Sequence, residues 1–279
     1  MAIVAALRLN AAAAPERISF IVQKVYLVGA GPGDPGLLTL KAFKVLQQAD
    51  VVIYDRLVSA EVLALAPPTA KLIFAGKLKG EQERIQNEIN RLLLAHASAG
   101  KTVVRLKGGD PLVFGRGAEE WLFLLDHGIE VEVVPGISAS MAVPSLAGIP
   151  VTLRGVATSY AVITGHRQNL EPQNWAKYLM IDTLVVLMGV DNRRIIAANL
   201  IKAGRSLDEP VAFIERGTTD RERVLITNLR DVARGITQVQ SPAVMVIGQV
   251  VNLRKQLMRS IRPAQQRKED YVYAHPPVA

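Results

Sequence analysis

The first half of the chain alternates short apolar runs with amphipathic segments, and this alternation is the strongest constraint on its fold. Apolar runs of strand length begin at Val25, Asp50, Lys71, Thr102 and Glu130, and segments with helical spacing lie between them. Strands that alternate with helices predict a parallel sheet, because each helical crossover returns the chain to the same edge. We therefore predict an α/β fold with a mainly parallel sheet in this half.

The sequence pattern of the C-terminal half differs from that of the first half, and the change begins near residues 147–153. Its polar stretch at 214–222 is typical of a hairpin connection, so we predict a mixed sheet there. The predicted strands are residues 160–164, 184–188, 211–214, 223–227 and 243–248. The predicted units are a flexible extension at 1–23, an N-terminal α/β domain at 24–148, a C-terminal α/β domain at 149–257 and a flexible tail at 258–279.

Composition excludes several functional classes. The chain has no cysteine, and its four histidines show no paired metal-ligand spacing, so we expect neither disulfides nor a metal site. No apolar run reaches the length of a membrane span, and Arg8 interrupts the N-terminal alanine-rich stretch, so we expect a cytoplasmic protein without a membrane anchor. The net charge of +8 lies mostly in the termini, which weakens the case for a nucleic-acid partner.

The helix predicted after the first strand has a local start signal and an apolar face. Thr39 precedes an apolar-periodic segment and is predicted to cap it. The spacing of Leu40, Phe43 and Leu46 predicts that these three side chains face the core.

Two glycine-rich loops follow predicted strands. The first contains Gly29 and Gly31, but Asp34 occupies the position of the third glycine in a Rossmann fingerprint, which argues against a dinucleotide site. The second, residues 107–120, contains four glycines and follows the fourth strand. It is either an ordinary turn or a place where the backbone approaches a ligand closely, as happens beyond the carboxyl ends of strands in open α/β sheets.

Charged residues concentrate in these connections. Asp110 can either cap the following helix or bind a hydroxyl or ammonium group of a ligand. His166 is either a structural loop histidine or a catalytic one. Guanidinium groups match carboxylates and phosphates, so several arginines near strand ends favour a polyanionic ligand over a set of solvated surface residues. The arginines in question are Arg56, Arg116, Arg154 and Arg167.

Taken together, these loops resemble the tetrapyrrole methylases, over roughly residues 24–255 and with the motifs in the family's order. The stretches that carry the resemblance are residues 28–35, 52–58, 105–111, 114–120, 134–139, 148–152, 163–166 and 186–190. One departure is Ser138, where many relatives have threonine; the hydroxyl is kept.

The resemblance implies two α/β domains with the active site in the cleft between them, and a homodimer. It implies S-adenosylmethionine as methyl donor, with S-adenosylhomocysteine as product, and no metal. Within the family, the motifs are most similar to those of enzymes that methylate uroporphyrinogen III at carbons 2 and 7. The product would be precorrin-2, formed through precorrin-1, which feeds sirohaem, cobalamin or haem d1 synthesis. A later corrin-ring methylase and an RNA methyltransferase on the same scaffold are the alternatives.

The resemblance also assigns site residues by their positions in the motifs. Arg116 and Glu119 are three residues apart on a predicted helix, so they can pair. Glu119 either orients Arg116 or accepts a proton itself, and a plain surface ion pair is the alternative. The implied donor-binding residues are Pro32, Gly108, Gly109, Asp110, Val113, Ser138, Ala139, Met188 and Ala243. The implied acceptor-facing residues are Arg56, Arg116, Glu119, Arg154 and His166.

Overall fold

A computed structural model describes residues 24–75, 82–166 and 174–260 of the chain. The predicted N-terminal extension, most of the predicted tail and Arg167 lie outside these residues. Two five-stranded sheets follow one another along the chain, one in each half. Within the described residues, no helix has the length and apolarity needed to cross a membrane.

The first sheet is parallel throughout, which confirms the predicted parallel sheet. Its strands are β1 Lys24–Gly29, β2 Val51–Tyr54, β3 Lys71–Phe74, β4 Val103–Lys107 and β5 Glu130–Val134. Their order across the sheet is β3-β2-β4-β1-β5. Gly29 pairs with Lys107, and Val28 pairs with Val134. The carboxyl ends of β1, β4 and β5 are therefore level with one another at one edge of the sheet.

Five helices belong to the first half: α1 Leu40–Leu46, α2 Ala60–Leu63, α3 Gln82–Ser98, α4 Gly117–Asp126 and α5 Ala139–Leu146. Thr39 caps α1 as predicted, because its hydroxyl accepts a hydrogen bond from Ala42 N at 3.1 Å. The predicted inner face of α1 was wrong at Leu40 and Phe43, which are 80% and 39% exposed, and right at Leu46, which is buried together with Ala42 and Val45. Leu40 lies about 200° from Ala42 around this two-turn helix and therefore points away from the sheet.

The second sheet is mixed, as predicted. Its strands are β6 Tyr160–Thr164, β7 Thr183–Leu187, β8 Pro210–Glu215, β9 Arg223–Asn228 and β10 Ala243–Ile247. Their order across the sheet is β6-β7-β10-β8-β9. Only β6 and β7 are parallel neighbours; the other three pairs are antiparallel, and β8 and β9 form the predicted hairpin.

The remaining helices are short, apart from α6. They are α6 Arg193–Ala203, α7 Leu229–Arg234 and α8 Arg254–Leu257, with 3₁₀ turns at Pro35–Leu37, Trp175–Tyr178, Gln249–Leu253 and Met258–Ser260. Helix α5 follows the first sheet in sequence, yet its Val143 belongs to the apolar cluster that also contains Val185 and Val244 of the second sheet. The packing of α5 therefore ties the two halves together.

Candidate active site between the carboxyl edges of the two sheets

Three loops of the first sheet meet at its carboxyl edge, after β1, β4 and β5. Gly31 and Gly109 exchange backbone hydrogen bonds of 3.2 and 2.7 Å. The loop after β5 crosses them so closely that a Cβ placed on Gly136 would lie 2.2 Å from Gly109 O and 2.7 Å from Gly29 Cα. Only glycine permits this crossing, because every obstructing atom belongs to the backbone.

Asp110 fastens two of these loops together. Its Oδ1 accepts from Leu112 N at 2.9 Å, and its Oδ2 accepts from Gly136 N at 3.2 Å. The capping alternative was wrong, because α4 begins only at Gly117 and Arg116 occupies the N-cap position. Each carboxylate oxygen still has a second lone pair, so Asp110 retains acceptor capacity for a ligand.

Ser138 and Ala139 begin α5 beside the same glycines. The Ser138 hydroxyl caps the helix by accepting from Ser140 N at 3.3 Å. A Cβ built on Gly109 would lie 3.7 Å from Ala139 N, which shows how near the start of α5 is to the loop after β4. The first sheet thus brings together most of the predicted donor-binding residues. They are Pro32, Gly108, Gly109, Asp110, Ser138 and Ala139, with Val113 on the turn that follows Asp110.

The second sheet presents two further predicted residues at one edge. The register pairs Met245 with Val186, and its continuation puts Ala243 opposite Met188, directly after β7. Met188 is half-exposed and has a left-handed backbone with φ of 54°. A non-glycine residue in this conformation costs about 1–3 kcal/mol, and such residues concentrate at functional sites.

The two edges face each other through the loop after β8. Thr218 Oγ1 accepts a hydrogen bond from Asp34 N at 3.3 Å. The neighbouring Gly217 packs so tightly on α5 that a Cβ there would lie 2.4 Å from Val143 Cγ1. Sequence reasoning missed these contacts, because nothing local links Asp34 to a residue so much later in the chain.

Arg116 and Glu119 form the predicted pair. Arg116 Nε lies 2.9 Å from both Glu119 carboxylate oxygens, and Arg116 Nη2 donates to Oε2 as well. The Glu119 side chain is 55% exposed and that of Arg116 is 25% exposed, so the pair itself stabilises the fold by under about 1 kcal/mol. Arg116 and Phe114 both have positive φ, which concentrates backbone strain in this loop.

Arg56 and His166 lie on loops that approach the same edges. Arg56 is exposed and lies two residues after the end of β2, and the adjacent Leu57 packs against Gly108, where a Cβ would meet Leu57 Cβ at 3.0 Å. His166 is exposed after β6, and its backbone N donates to Thr164 Oγ1 at 3.2 Å. The structure therefore brings Arg56 and Arg116 to the edge of the first sheet, and His166 to the edge of the second.

Arg154 has a different setting. It lies on a turn closed by hydrogen bonds between Leu153 and Ala157, before β6 begins. His166 follows the other end of that strand, which is about 15 Å long. Arg154 is exposed on this turn and stays a predicted acceptor contact.

A buried set of charges beneath the loop after β4 was also missed. Arg105, Lys107 and Glu120 are almost completely buried, and Asp55 joins them from the end of β2. Burial, followed by the nearby Arg105 charge, lowers the pKa of Lys107 below its ordinary value. Two cations at alternate positions of an apolar strand share one face, which was the available sequence signal. Among the described residues, no cluster of histidine, aspartate or glutamate is arranged to hold a metal ion.

The model of the tetrapyrrole (corrin/porphyrin) methylase family matches residues 24–233. A uroporphyrinogen-III C-methyltransferase from Methanocaldococcus jannaschii is 49% identical over 235 residues, which cover 82% of this chain and 97% of that protein. Siroheme synthase 2 from Aeromonas hydrophila is 50% identical over 238 residues, covering 85% of this chain and 51% of that protein, so the chain spans about half the length of this relative.

A solved structure also resembles the chain over most of its length. Uroporphyrin-III C-methyl transferase from Thermus thermophilus, complexed with S-adenyl homocysteine, has a TM-score of 0.74 and 49% identity, covering 82% of this chain and 99% of that one. The match extends over both sheets, whose facing edges carry the glycine loops and Met188. On these findings, the chain belongs to the tetrapyrrole (corrin/porphyrin) methylases.

Proposed function

We propose that the chain is an S-adenosylmethionine-dependent methyltransferase that converts uroporphyrinogen III to precorrin-2 by methylating carbons 2 and 7, with precorrin-1 as intermediate. The observation that carries this proposal is the meeting of the glycine loops after β1, β4 and β5 with the edge that presents Met188 and Ala243. The relatives named uroporphyrinogen-III C-methyltransferase support it, at about half identity over most of the chain.

The residues at this junction fit the methyl donor. Gly109 and Gly136 are only partly buried and carry no side chain, so a nucleoside can approach the backbone of these loops closely. Asp110 has spare acceptor capacity for the polar atoms of the donor, and the half-exposed thioether of Met188 offers an apolar contact. When bound, S-adenosylmethionine supplies an activated methyl group on a sulfonium and leaves as S-adenosylhomocysteine.

Arginines of the first sheet fit the acceptor, which carries several carboxylates. Arg56 and Arg116 stand on neighbouring loops at the carboxyl edge, and guanidinium forks bind carboxylates at two points. His166 faces the acceptor from the opposite edge, and Arg154 remains a predicted contact at the margin. Because methyl transfer needs little covalent help from the protein, these residues act mainly by alignment and by exclusion of water.

The Arg116–Glu119 pair is the proposed centre of proton handling. Methylation leaves a cationic macrocycle that must lose a proton, and an arginine remains protonated at neutral pH. The two-point contact fixes the guanidinium plane, so Arg116 can orient the acceptor while Glu119 orients Arg116 or receives the proton.

We further propose that the enzyme acts in the cytoplasm as a homodimer, without a nucleic-acid, membrane or metal partner. The product would enter sirohaem, cobalamin or haem d1 synthesis. The family resemblance supports these proposals.

An acceptor panel tests the proposed substrate. The purified protein is incubated with labelled donor and with uroporphyrinogen III, a later corrin-ring intermediate or ribosomal RNA. We expect label only in uroporphyrinogen III. Transfer to the corrin-ring intermediate alone would identify a later methylase, and transfer to RNA would identify an RNA-directed enzyme.

A further inference from the structure

The buried charges beneath the Arg116 loop have no direct part in the chemistry proposed above. Lys107 and Arg105 extend from β4, Glu120 from the first turn of α4, and Asp55 from the end of β2. The side chains of Arg105 and Glu120 are 1% and 0% exposed. We call these four residues the charge cluster.

One carboxylate oxygen is the hub of the charge cluster. Glu120 Oε1 accepts from Lys107 Nζ at 3.0 Å, from Arg105 Nε at 3.2 Å and from Gln86 Nε2 of α3 at 3.1 Å. Arg105 Nη2 also donates to Asp55 Oδ1, and Lys107 Nζ lies 3.7 Å from Asp55 Oδ2. The cluster thus connects β2, β4, α3 and α4 through buried polar contacts.

The charge cluster lies next to both arginines that are proposed to bind the acceptor. Asp55 immediately precedes Arg56 in the chain, and Glu120 lies one helical turn after Arg116. The Lys107 side chain passes under the loop itself, since a Cβ on Gly115 would lie 3.3 Å from Lys107 Cε. A change in the cluster would therefore displace the Arg56 and Arg116 loops relative to each other.

Stability alone does not account for a cluster of this kind. Burying charged groups carries a large desolvation cost, and well-packed apolar residues of similar volume often give equal or greater stability. The charges of Arg105 and Lys107 are balanced by those of Asp55 and Glu120, which offsets part of the desolvation cost. Compared with an apolar core, directional ion pairs and hydrogen bonds additionally fix the relative positions of the elements that they join.

We propose that the charge cluster positions the acceptor, with Glu120 and Lys107 as positioning residues that hold the Arg56 and Arg116 loops at a fixed separation. This inference rests on the proposed function insofar as those arginines bind the polycarboxylate acceptor. Neither Glu120 nor Lys107 touches the substrate, so their effect is on the affinity and alignment of the acceptor.

A paired apolar replacement separates positioning from stability. Lys107→Met combined with Glu120→Met removes the link without leaving an unpaired Lys107 or Glu120 charge, so we expect a melting temperature close to that of the wild type. The KM for uroporphyrinogen III should rise about ten-fold or more, because small misplacements of binding groups are costly, while donor affinity is retained. Hydrogen exchange should become faster in residues 55–58 and 114–117, which lie outside the predicted donor-binding residues.

The matched control is another buried ion pair. Arg205 and Glu209 are 6% and 10% exposed and lie at the amino end of β8, opposite the proposed site. Arg205→Met combined with Glu209→Met should leave the acceptor KM unchanged, whatever its effect on melting temperature. If the Lys107/Glu120 double variant does not fold, Glu120→Gln, which keeps an acceptor oxygen, should show a smaller rise in KM and the same pattern of faster exchange.

Three results would overturn the inference. The first is an unchanged acceptor KM in a folded Lys107/Glu120 double variant. The second is unchanged hydrogen exchange in the Arg56 and Arg116 loops of that variant. The third is an acceptor KM that rises with the loss of melting temperature in both the Lys107/Glu120 and the Arg205/Glu209 double variants. A wild-type protein that does not methylate uroporphyrinogen III would instead remove the proposed function, and the exchange measurement would then decide the positioning role alone.

Discussion

Gly136→Ala should damage the site by steric overlap alone. The added Cβ would lie 2.2 Å from Gly109 O and 2.7 Å from Gly29 Cα, and neither backbone atom can rotate away. Overpacking of a well-packed site costs about 1–3 kcal/mol, and displacement of the hydrogen bond from Gly136 N to Asp110 adds about 1 kcal/mol. We therefore expect the free energy of unfolding to fall by about 2–4 kcal/mol.

Donor affinity should fall together with stability in Gly136→Ala, because the loop that contains Gly136 lies next to Gly109 and Ser138, two predicted donor-binding residues. Urea denaturation gives the free energy of unfolding, and calorimetric titration gives the donor affinity, which we expect to drop about ten-fold or more. Gly128→Ala is the control, since Gly128 has φ of 73° and no atom within 4 Å of an added Cβ. It should lose about 1–2 kcal/mol of stability through its left-handed backbone and keep full donor affinity. Wild-type stability and donor affinity in Gly136→Ala would refute the inference that the glycine crossing shapes the donor site.

Three further predictions use other features of the site. Arg116→Lys keeps the charge but loses the two-point contact with Glu119, so kcat should fall strongly while calorimetry shows unchanged donor affinity; near-normal turnover would remove the guanidinium from the mechanism. Met188→Gly relieves backbone strain but adds the conformational entropy cost of glycine, so the variant should melt near the wild-type temperature yet bind the donor more weakly; unchanged affinity would exclude a donor contact. Hydrogen bonding from Arg223 lowers the pKa of Glu215 in the folded protein. Glu215 therefore adds stability above its unfolded pKa of about 4.3, and this stability is lost as the pH falls through the lower pKa of the folded state. Thermal melts of Glu215→Gln should therefore depend less on pH in this acid range, and a dependence equal to that of the wild type would contradict the assignment.

The architecture and several site loops could be predicted from sequence, because their signals are local. Alternating strands and helices predicted the parallel first sheet, and Thr39 capped the helix that it precedes. The spacing of Arg116 and Glu119 predicted their pairing, since residues three apart share a helix face.

Features that depend on distant parts of the chain could not be predicted in this way. The hydrogen bond between Thr218 and Asp34 forms only when the two sheets meet, and no local pattern indicated the left-handed backbone of Met188. Glu120 looked like one of two acidic residues at the start of a helix, yet it is fully buried because Arg105 and Lys107 project beneath α4. The sequence pattern indicates the sheets and the loops, whereas tertiary packing determines which charged side chains are buried.

A time course of methyl transfer to uroporphyrinogen III tests the central claim most directly. The purified protein, excess S-adenosylmethionine and uroporphyrinogen III are mixed under reducing conditions, and products are followed by mass spectrometry. A singly methylated species should appear first and then be consumed as a doubly methylated product, with methyl groups at carbons 2 and 7, accumulates. Absence of transfer, or a single methylation at another carbon, would contradict the account.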